Sequence, residues 1–143
     1  MSIYFTSDLH FGHKNLCEGL RGMSAEESDA LIINNWNSVI NKNDKVFILG
    51  DISLDSPENI KGNLCKLKGI KEVVLGNHDT PRIVNILVNM GIKVSSSLNY
   101  HGFLLTHIPC HPNELQFYKT NIHGHIHNQG IINMSMNICF IKL

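Results

Sequence analysis

The chain has 143 residues and a mass of 16.1 kDa, with 12 basic residues balancing 12 acidic ones. That length suits one domain, residues 1–143, and 43% hydrophobic against 17% charged residues excludes a disordered chain. Charge neutrality without a Lys/Arg run excludes an extended nucleic-acid face, and no apolar run reaches the roughly 18 residues of a membrane span. The N-terminus lacks the basic and then apolar pattern of a secretory signal. Cys17, Cys65, Cys110 and Cys139 form neither a C-x-x-C pair nor a disulfide framework, and read as small buried hydrophobes. The expectation is a cytoplasmic protein that does not engage a membrane.

In chain order, Ile3–Phe5 is β-branched and aromatic and reads as a buried strand. Ser24-Ala25-Glu26-Glu27 is a capping box. It predicts a helix to about Asn41 with Leu31, Ile32, Trp36, Val39 and Ile40 on its apolar side. Lys45–Leu49 is a second strand, and Ser56-Pro57-Glu58 opens a second helix with proline at its first position. Glu72–Leu75 is a third strand, and Thr80-Pro81 opens a helix that Gly91 stops near Met90. Ile92–Val94, Phe103–Thr106, Asn121–His123, Ile131–Met136 and Ile138–Ile141 are short strand-like runs, with a weak helical piece at Asn113–Tyr118. A β-α-β-α-β-α first half and a mostly β second half predict an α/β, sheet-centred fold, partly parallel, with helices outside.

The polar residues fall at the ends of these runs. Asp8-Leu9-His10, Gly50-Asp51, Gly76-Asn77-His78-Asp79, His107 and His123-Gly124-His125-Ile126-His127 each follow a predicted strand. Ligands of α/β sheets gather beyond the carboxyl ends of strands, so these clusters can converge. In extended chain, residues i and i+2 point the same way. Asp8 and His10 then share one direction, as do His125 and His127. Gly50, Gly76 and Gly124 precede ligand candidates, where a small residue permits close backbone approach. Carboxylates, imidazoles and an amide oxygen without thiolate suit Mn, Fe or Zn, and do not match a closed structural zinc site.

These blocks, in this order and across residues 8–127, resemble the calcineurin-like metallophosphoesterases. Thr6-Ser7-Asp8-Leu9-His10-Phe11-Gly12-His13-Lys14-Asn15 is similar to the short bacterial and phage members in particular. The resemblance implies a four-layer α/β sandwich, two packed mixed sheets flanked by helices. It implies two divalent ions per chain, manganese foremost and iron, zinc or nickel next. Asp8, His10, Asp51 and His127 would hold one, and Asp51, Asn77, His107 and His125 the other. Asp51 and a water or hydroxide would bridge them. Such a pair, roughly 3.5–4 Å apart, clamps a phosphoryl group in an in-line displacement.

The same resemblance makes His78 the general acid or leaving-group stabiliser, with Asp79 orienting it or capping the next helix. His13 and Asn77 are expected to contact phosphate, and Arg21 to clamp it in bidentate fashion. His101 and His111 are expected in solvent, and His123 in a packing role. The 16 residues after His127 are expected to supply two short strands and no large specificity element. The implied activity is metal-dependent hydrolysis of a phosphodiester or phosphomonoester in a small substrate, a nucleotide included. The alternatives are a non-catalytic module of the same fold, and a structural metal binder without phosphate chemistry.

Overall fold

A computed structural model describes residues 1–127. Its first sheet is built from four parallel strands: β1 (Ile3–Thr6), β2 (Lys45–Leu49), β3 (Ile70–Val74) and β4 (Lys93–Ser95), in that spatial order. Phe5 pairs with Phe47 and Phe47 with Glu72, so the strands stay in near-level register. The crossovers carry α2 (Ala25–Val39), α3 (Pro57–Lys66) and α4 (Pro81–Asn89), after a short α1 (Lys14–Leu16). A second sheet holds β5 (Leu98–Tyr100), β6 (Phe103–Leu105) and β7 (Thr120–Ile122). β5 runs antiparallel to β6, and β7 parallel to it.

β2 explains the layering. Alternate residues of a strand face opposite sides. Val46 and Ile48 pack with Trp36, Ile40, Ile60, Leu64 and Leu87 under the helices. Phe47 and Leu49 pack with Val74, Leu105, Phe5 and Tyr100 between the two sheets. A strand covered on both faces is apolar throughout, which is why Val46-Phe47-Ile48-Leu49 shows no alternation. The architecture is the expected α/β arrangement of two packed sheets flanked by helices.

The caps follow the sequence closely. Ser24 Oγ accepts from Glu27 N–H at 3.1 Å, and Glu27 Oε2 accepts from Ser24 N–H at 2.9 Å. Ser56 caps α3 ahead of Pro57, and Gly91 leaves α4 at φ +73°. The apolar side of α2 is narrower than expected. Trp36 and Ile40 are fully buried and Trp36 Nε1–H donates to Lys68 O at 2.9 Å, but Leu31 and Val39 are exposed. Leu31 lies off the stripe that Ser28, Ile32 and Trp36 define, and Val39 ends the helix.

Several elements differ from expectation. β3, β4 and β7 are shifted by one or two residues, and the helical piece is a 3-10 turn, Pro112–Phe117. β5 was not expected, because Leu98-Asn99-Tyr100 is too short to show a pattern. Residues 14–21 also fold, as α1 followed by a π-helical turn, Cys17–Arg21. Gly19 and the exposed Leu20 spoil the helical period there. Of the cysteines described, Cys17 is buried, Cys110 is half-buried and Cys65 is exposed, so burial is not their common property. Ile131–Met136, Ile138–Ile141 and Cys139 lie outside the described residues. Among the described residues, no helix is long and apolar enough to cross a membrane.

Candidate metal centre

The predicted clusters meet at one edge of the two sheets, beyond the ends of β1, β2, β3, β6 and β7. The β1 and β2 loops remain zipped past the strands. Asp8 N–H donates to Gly50 O at 3.0 Å, His10 N–H to Asp51 O at 2.9 Å and Phe11 N–H to Ile52 O at 2.9 Å.

The backbone there is not extended, and this corrects the i, i+2 argument. Asp8, His10, Asp51, His125 and His127 have φ of 57°, 50°, 56°, 72° and 48°. This left-handed region is unfavourable for residues with a Cβ and tends to appear at functional sites. Alternating it with Leu9, which is buried, still sends the Asp8 and His10 side chains to one point. The glycines serve as expected. A Cβ on Gly50 would lie 2.5 Å from His107 Nδ1, and one on Gly124 would lie 2.5 Å from Asp8 Oδ2 and from Ser7 Cβ. Gly124→Ala is accordingly expected to destabilise the protein by about 1–3 kcal/mol, read from thermal unfolding, because Asp8 and Ser7 must move.

Two groups of donor atoms face each other. Asp8, His10 and His127 form one, and Asp51, His107 and His125 the other, with the ligand atoms of each group within 4.8 Å of one another. His10 Nε2 is 3.7 Å from Asp8 Oδ1, and His127 Nε2 is 3.9 Å from the same oxygen. Asp51 Oδ2 stands between the groups, 3.7 Å from His10 Nε2 and 3.3 Å from His107 Nε2. Asn77 Oδ1 is 3.0 Å from His107 Nε2, and His125 Nδ1 is 3.2 Å from that nitrogen.

These atoms fit cations. His107 Nδ1 lies 2.7 Å from Leu49 O, so Nδ1 carries the proton and Nε2 offers its lone pair. That lone pair then faces Asp51 Oδ2 and Asn77 Oδ1, which are acceptors themselves. In the first group, Asp8 Oδ1 and both ring nitrogens of His10 are buried without a hydrogen-bond partner among the described residues. Acceptors converging on acceptors, with orphaned buried atoms beside them, are satisfied by a shared positive ion.

Burial pushes the Asp8 carboxyl up, but His10, Ser7 and the His125 N–H outweigh it and bring it down to about 2. Burial likewise raises Asp51, and His107 with the His78 N–H more than offsets that. Burial lowers His107, while Asp51 and the Leu49 carbonyl carry it above its ordinary value.

The remaining expected residues separate. His78 stands beside the groups, with its ring 5.6 Å from that of His10 and its N–H donating to Asp51 Oδ1 at 3.0 Å. His13 caps α1, taking the Leu16 N–H on Nδ1 at 3.3 Å, and its ring is 5.5 Å from His10. Arg21 does not face the groups as a clamp. Its guanidinium is turned onto the carbonyls of Asp8 and Leu9 and the Ser28 hydroxyl. Asp79 neither orients His78 nor caps α4, whose N-cap is Thr80. Its carboxylate accepts from Asp51 N–H at 3.0 Å, Ile52 N–H at 3.0 Å and Gly76 N–H at 2.8 Å. His101 and His111 are exposed, and His123 is buried with Nδ1 2.9 Å from Gly124 O.

Asp29 went unnoticed in the sequence. It accepts from Gly12 N–H at 3.1 Å and from Asn63 Nδ2 at 2.9 Å, tying the loop after His10 to α2 and α3. Its only sequence signal is a carboxylate on the buried side of an otherwise apolar helix stripe.

Residues 1–133 match the family described as calcineurin-like phosphoesterase. A gene 66 protein of Mycobacterium phage D29 is 30% identical over 161 residues, covering 91% of this chain and 80% of that protein. The gene 66 protein of Mycobacterium phage L5 is 45% identical over 87 residues, 57% of this chain but only 42% of that relative's length. The uncharacterized protein MJ1445 of Methanocaldococcus jannaschii is 34% identical over 131 residues, covering 87% of this chain and 69% of that protein. A solved structure, the protein of unknown function AQ665 from Aquifex aeolicus, shares the fold with a TM-score of 0.69. It does so at 24% identity, over 87% of this chain and 78% of that one. The ligand clusters ordered along the sheet edge and the match across nearly the whole chain lead to one assignment: this protein belongs to the calcineurin-like phosphoesterases, a family of metal-dependent phosphoester hydrolases.

Proposed function

We propose that the protein hydrolyses phosphodiester or phosphomonoester bonds of small substrates, nucleotides included, at a dinuclear metal centre. One observation carries this reading: Asp51 Oδ2 faces both donor groups, 3.7 Å from His10 Nε2 and 3.3 Å from His107 Nε2. Asp8, His10, Asp51 and His127 would hold one ion, and Asp51, Asn77, His107 and His125 the other. The oxygen and imidazole donors suit divalent manganese, iron, zinc or nickel. When bound, the ions supply Lewis acidity to the phosphoryl oxygens and lower the pKa of coordinated water.

The chain's own residues do the rest. His78 delivers a proton to the leaving oxygen, and its backbone is fixed by the bond to Asp51 Oδ1. His13 has Nδ1 engaged by the Leu16 N–H, so the neutral ring carries its proton on Nε2 and presents a donor to a phosphate oxygen. Asn77, exposed at the rim, offers its amide N–H to the same group. The zero net charge supports a small substrate over a long nucleic acid.

The test strips the protein of metal and restores Mn, Ni, Zn or Mg separately. Hydrolysis of bis-(p-nitrophenyl) phosphate and p-nitrophenyl phosphate is then followed. Turnover is expected only with metal. His78→Ala is expected to lower kcat by about 100-fold to 10,000-fold while still binding two ions. Two bound ions without turnover on either ester would replace this reading with a non-catalytic module of the same fold.

A further inference from the structure

The Arg21 guanidinium is turned onto the backbone of the loop that carries Asp8 and His10. Nη2 donates to Asp8 O at 3.1 Å and Leu9 O at 3.2 Å, and Nη1 donates to Leu9 O at 3.3 Å. Nη1 also donates to Ser28 Oγ at 2.7 Å, and Ser28 is buried on α2. The carbonyls it holds belong to the loop whose ends, Asp8 and His10, sit in left-handed conformations. Such conformations persist only when their surroundings over-determine them. Arg21 closes the π-helical turn Cys17–Arg21.

On the far side of the same loop, Asp29 of α2 takes the Gly12 N–H at 3.1 Å. The start of α2 thus grips the ligand loop at both ends, at one end through Arg21.

We propose that Arg21 is a positioning residue: by holding the Asp8 and Leu9 carbonyls against Ser28, it keeps the Asp8 and His10 side chains aimed at one point. This rests on the metal reading above for its purpose. A planar guanidinium reaches two carbonyls and a hydroxyl together, whereas an ammonium cannot reproduce that fork. The effect is expected to be strongest at the group that holds Asp8 and His10, because the guanidinium's bonds run to the Asp8 and Leu9 carbonyls and to Ser28.

The test compares the full chain with Arg21→Met, Arg21→Lys and Ser28→Ala in two measurements. The first is amide hydrogen exchange of the metal-free protein. His10 and Phe11 N–H, bonded to Asp51 O and Ile52 O, are expected to exchange at least about tenfold faster in Arg21→Met, with β2 amides unchanged. The second is calorimetric titration with Mn²⁺. One ion is expected to weaken about 10-fold to 100-fold and the other by less, with Arg21→Lys between wild type and Arg21→Met.

Unchanged loop exchange together with unchanged affinity for both ions would overturn the proposal. A raised KM at saturating metal, with neither measurement altered, would return Arg21 to phosphate binding. A wild-type chain that takes up no Mn²⁺ would sink the metal reading instead, and the exchange data would still judge Arg21. If Arg21→Met does not fold, Arg21→Lys and Ser28→Ala carry the same comparison.

Discussion

Asp51→Asn is expected to lower turnover by on the order of 1,000-fold or more, about 4 kcal/mol of transition-state stabilisation, and to weaken both metal sites at once. The reason is the double duty of one carboxylate. Oδ2 faces His10 Nε2 and His107 Nε2, and Oδ1 takes the His78 N–H. The asparagine side chain is nearly the same size, so the loop keeps its shape. It has no charge, however, and puts an N–H₂ where an oxygen is required. With the amide oxygen kept on the His78 N–H, the nitrogen points its hydrogens at both donor groups. With the amide reversed, the His78 N–H loses its acceptor. Calorimetric titration with Mn²⁺ and hydrolysis of bis-(p-nitrophenyl) phosphate check the two halves of this result. Full-affinity binding of two ions by Asp51→Asn would show that the carboxylate is not shared.

Asp79→Ala is expected to act first on the fold. Three backbone N–H groups, from Asp51, Ile52 and Gly76, lose a common carboxylate acceptor. An orphaned buried donor costs about 1–3 kcal/mol, and water reaching a half-buried site recovers part of it. A loss of about 3 kcal/mol is a reasonable sum, lowering Tm by roughly 10 °C in a chain of this size. Activity falls with it, because the same bonds set the β2 loop against the β3 loop and so place Asp51 beside Asn77. Asp79→Asn keeps an acceptor oxygen and is expected to recover about half of the stability. Thermal unfolding of the metal-free proteins, compared with kcat after metal is restored, separates the two effects. A Tm within a degree or two of wild type for Asp79→Ala would contradict the bracing role.

The candidate donor clusters were legible because most of them follow an apolar run that reads as a buried strand. Asp51 after Val46-Phe47-Ile48-Leu49 and Asn77 after Val73-Val74-Leu75 are the clearest cases. The β2 strand announced its two-sided burial by lacking alternation, and the Ser24–Glu27 capping box announced the start of α2. What could not be read depends on backbone torsion and on third partners. The convergence of Asp8 with His10 was foreseen, but on the premise of extended chain, whereas both residues are left-handed. Arg21 and Asp79 carry charges that look destined for substrate or histidine. Most of their partners are backbone groups, of Asp8, Leu9, Asp51, Ile52 and Gly76, which leave no mark in side-chain spacing. The π-helical turn Cys17–Arg21 has no 3.6-residue period to detect.

The left-handed rim has a consequence for how the protein can change. Asp8, His10, Asp51, His125 and His127 each hold a backbone conformation that a residue with a Cβ resists, at about 1–3 kcal/mol apiece. Glycine would relax any of them and delete the donor. At these positions robustness and the proposed ligation are opposed, so drift toward greater thermal resistance is expected to bypass them. It must accumulate elsewhere, on exposed positions such as Leu31 and Val39 of α2. The rim and the helical shell are therefore under opposite pressures, one free to improve and the other held at a permanent deficit by its work.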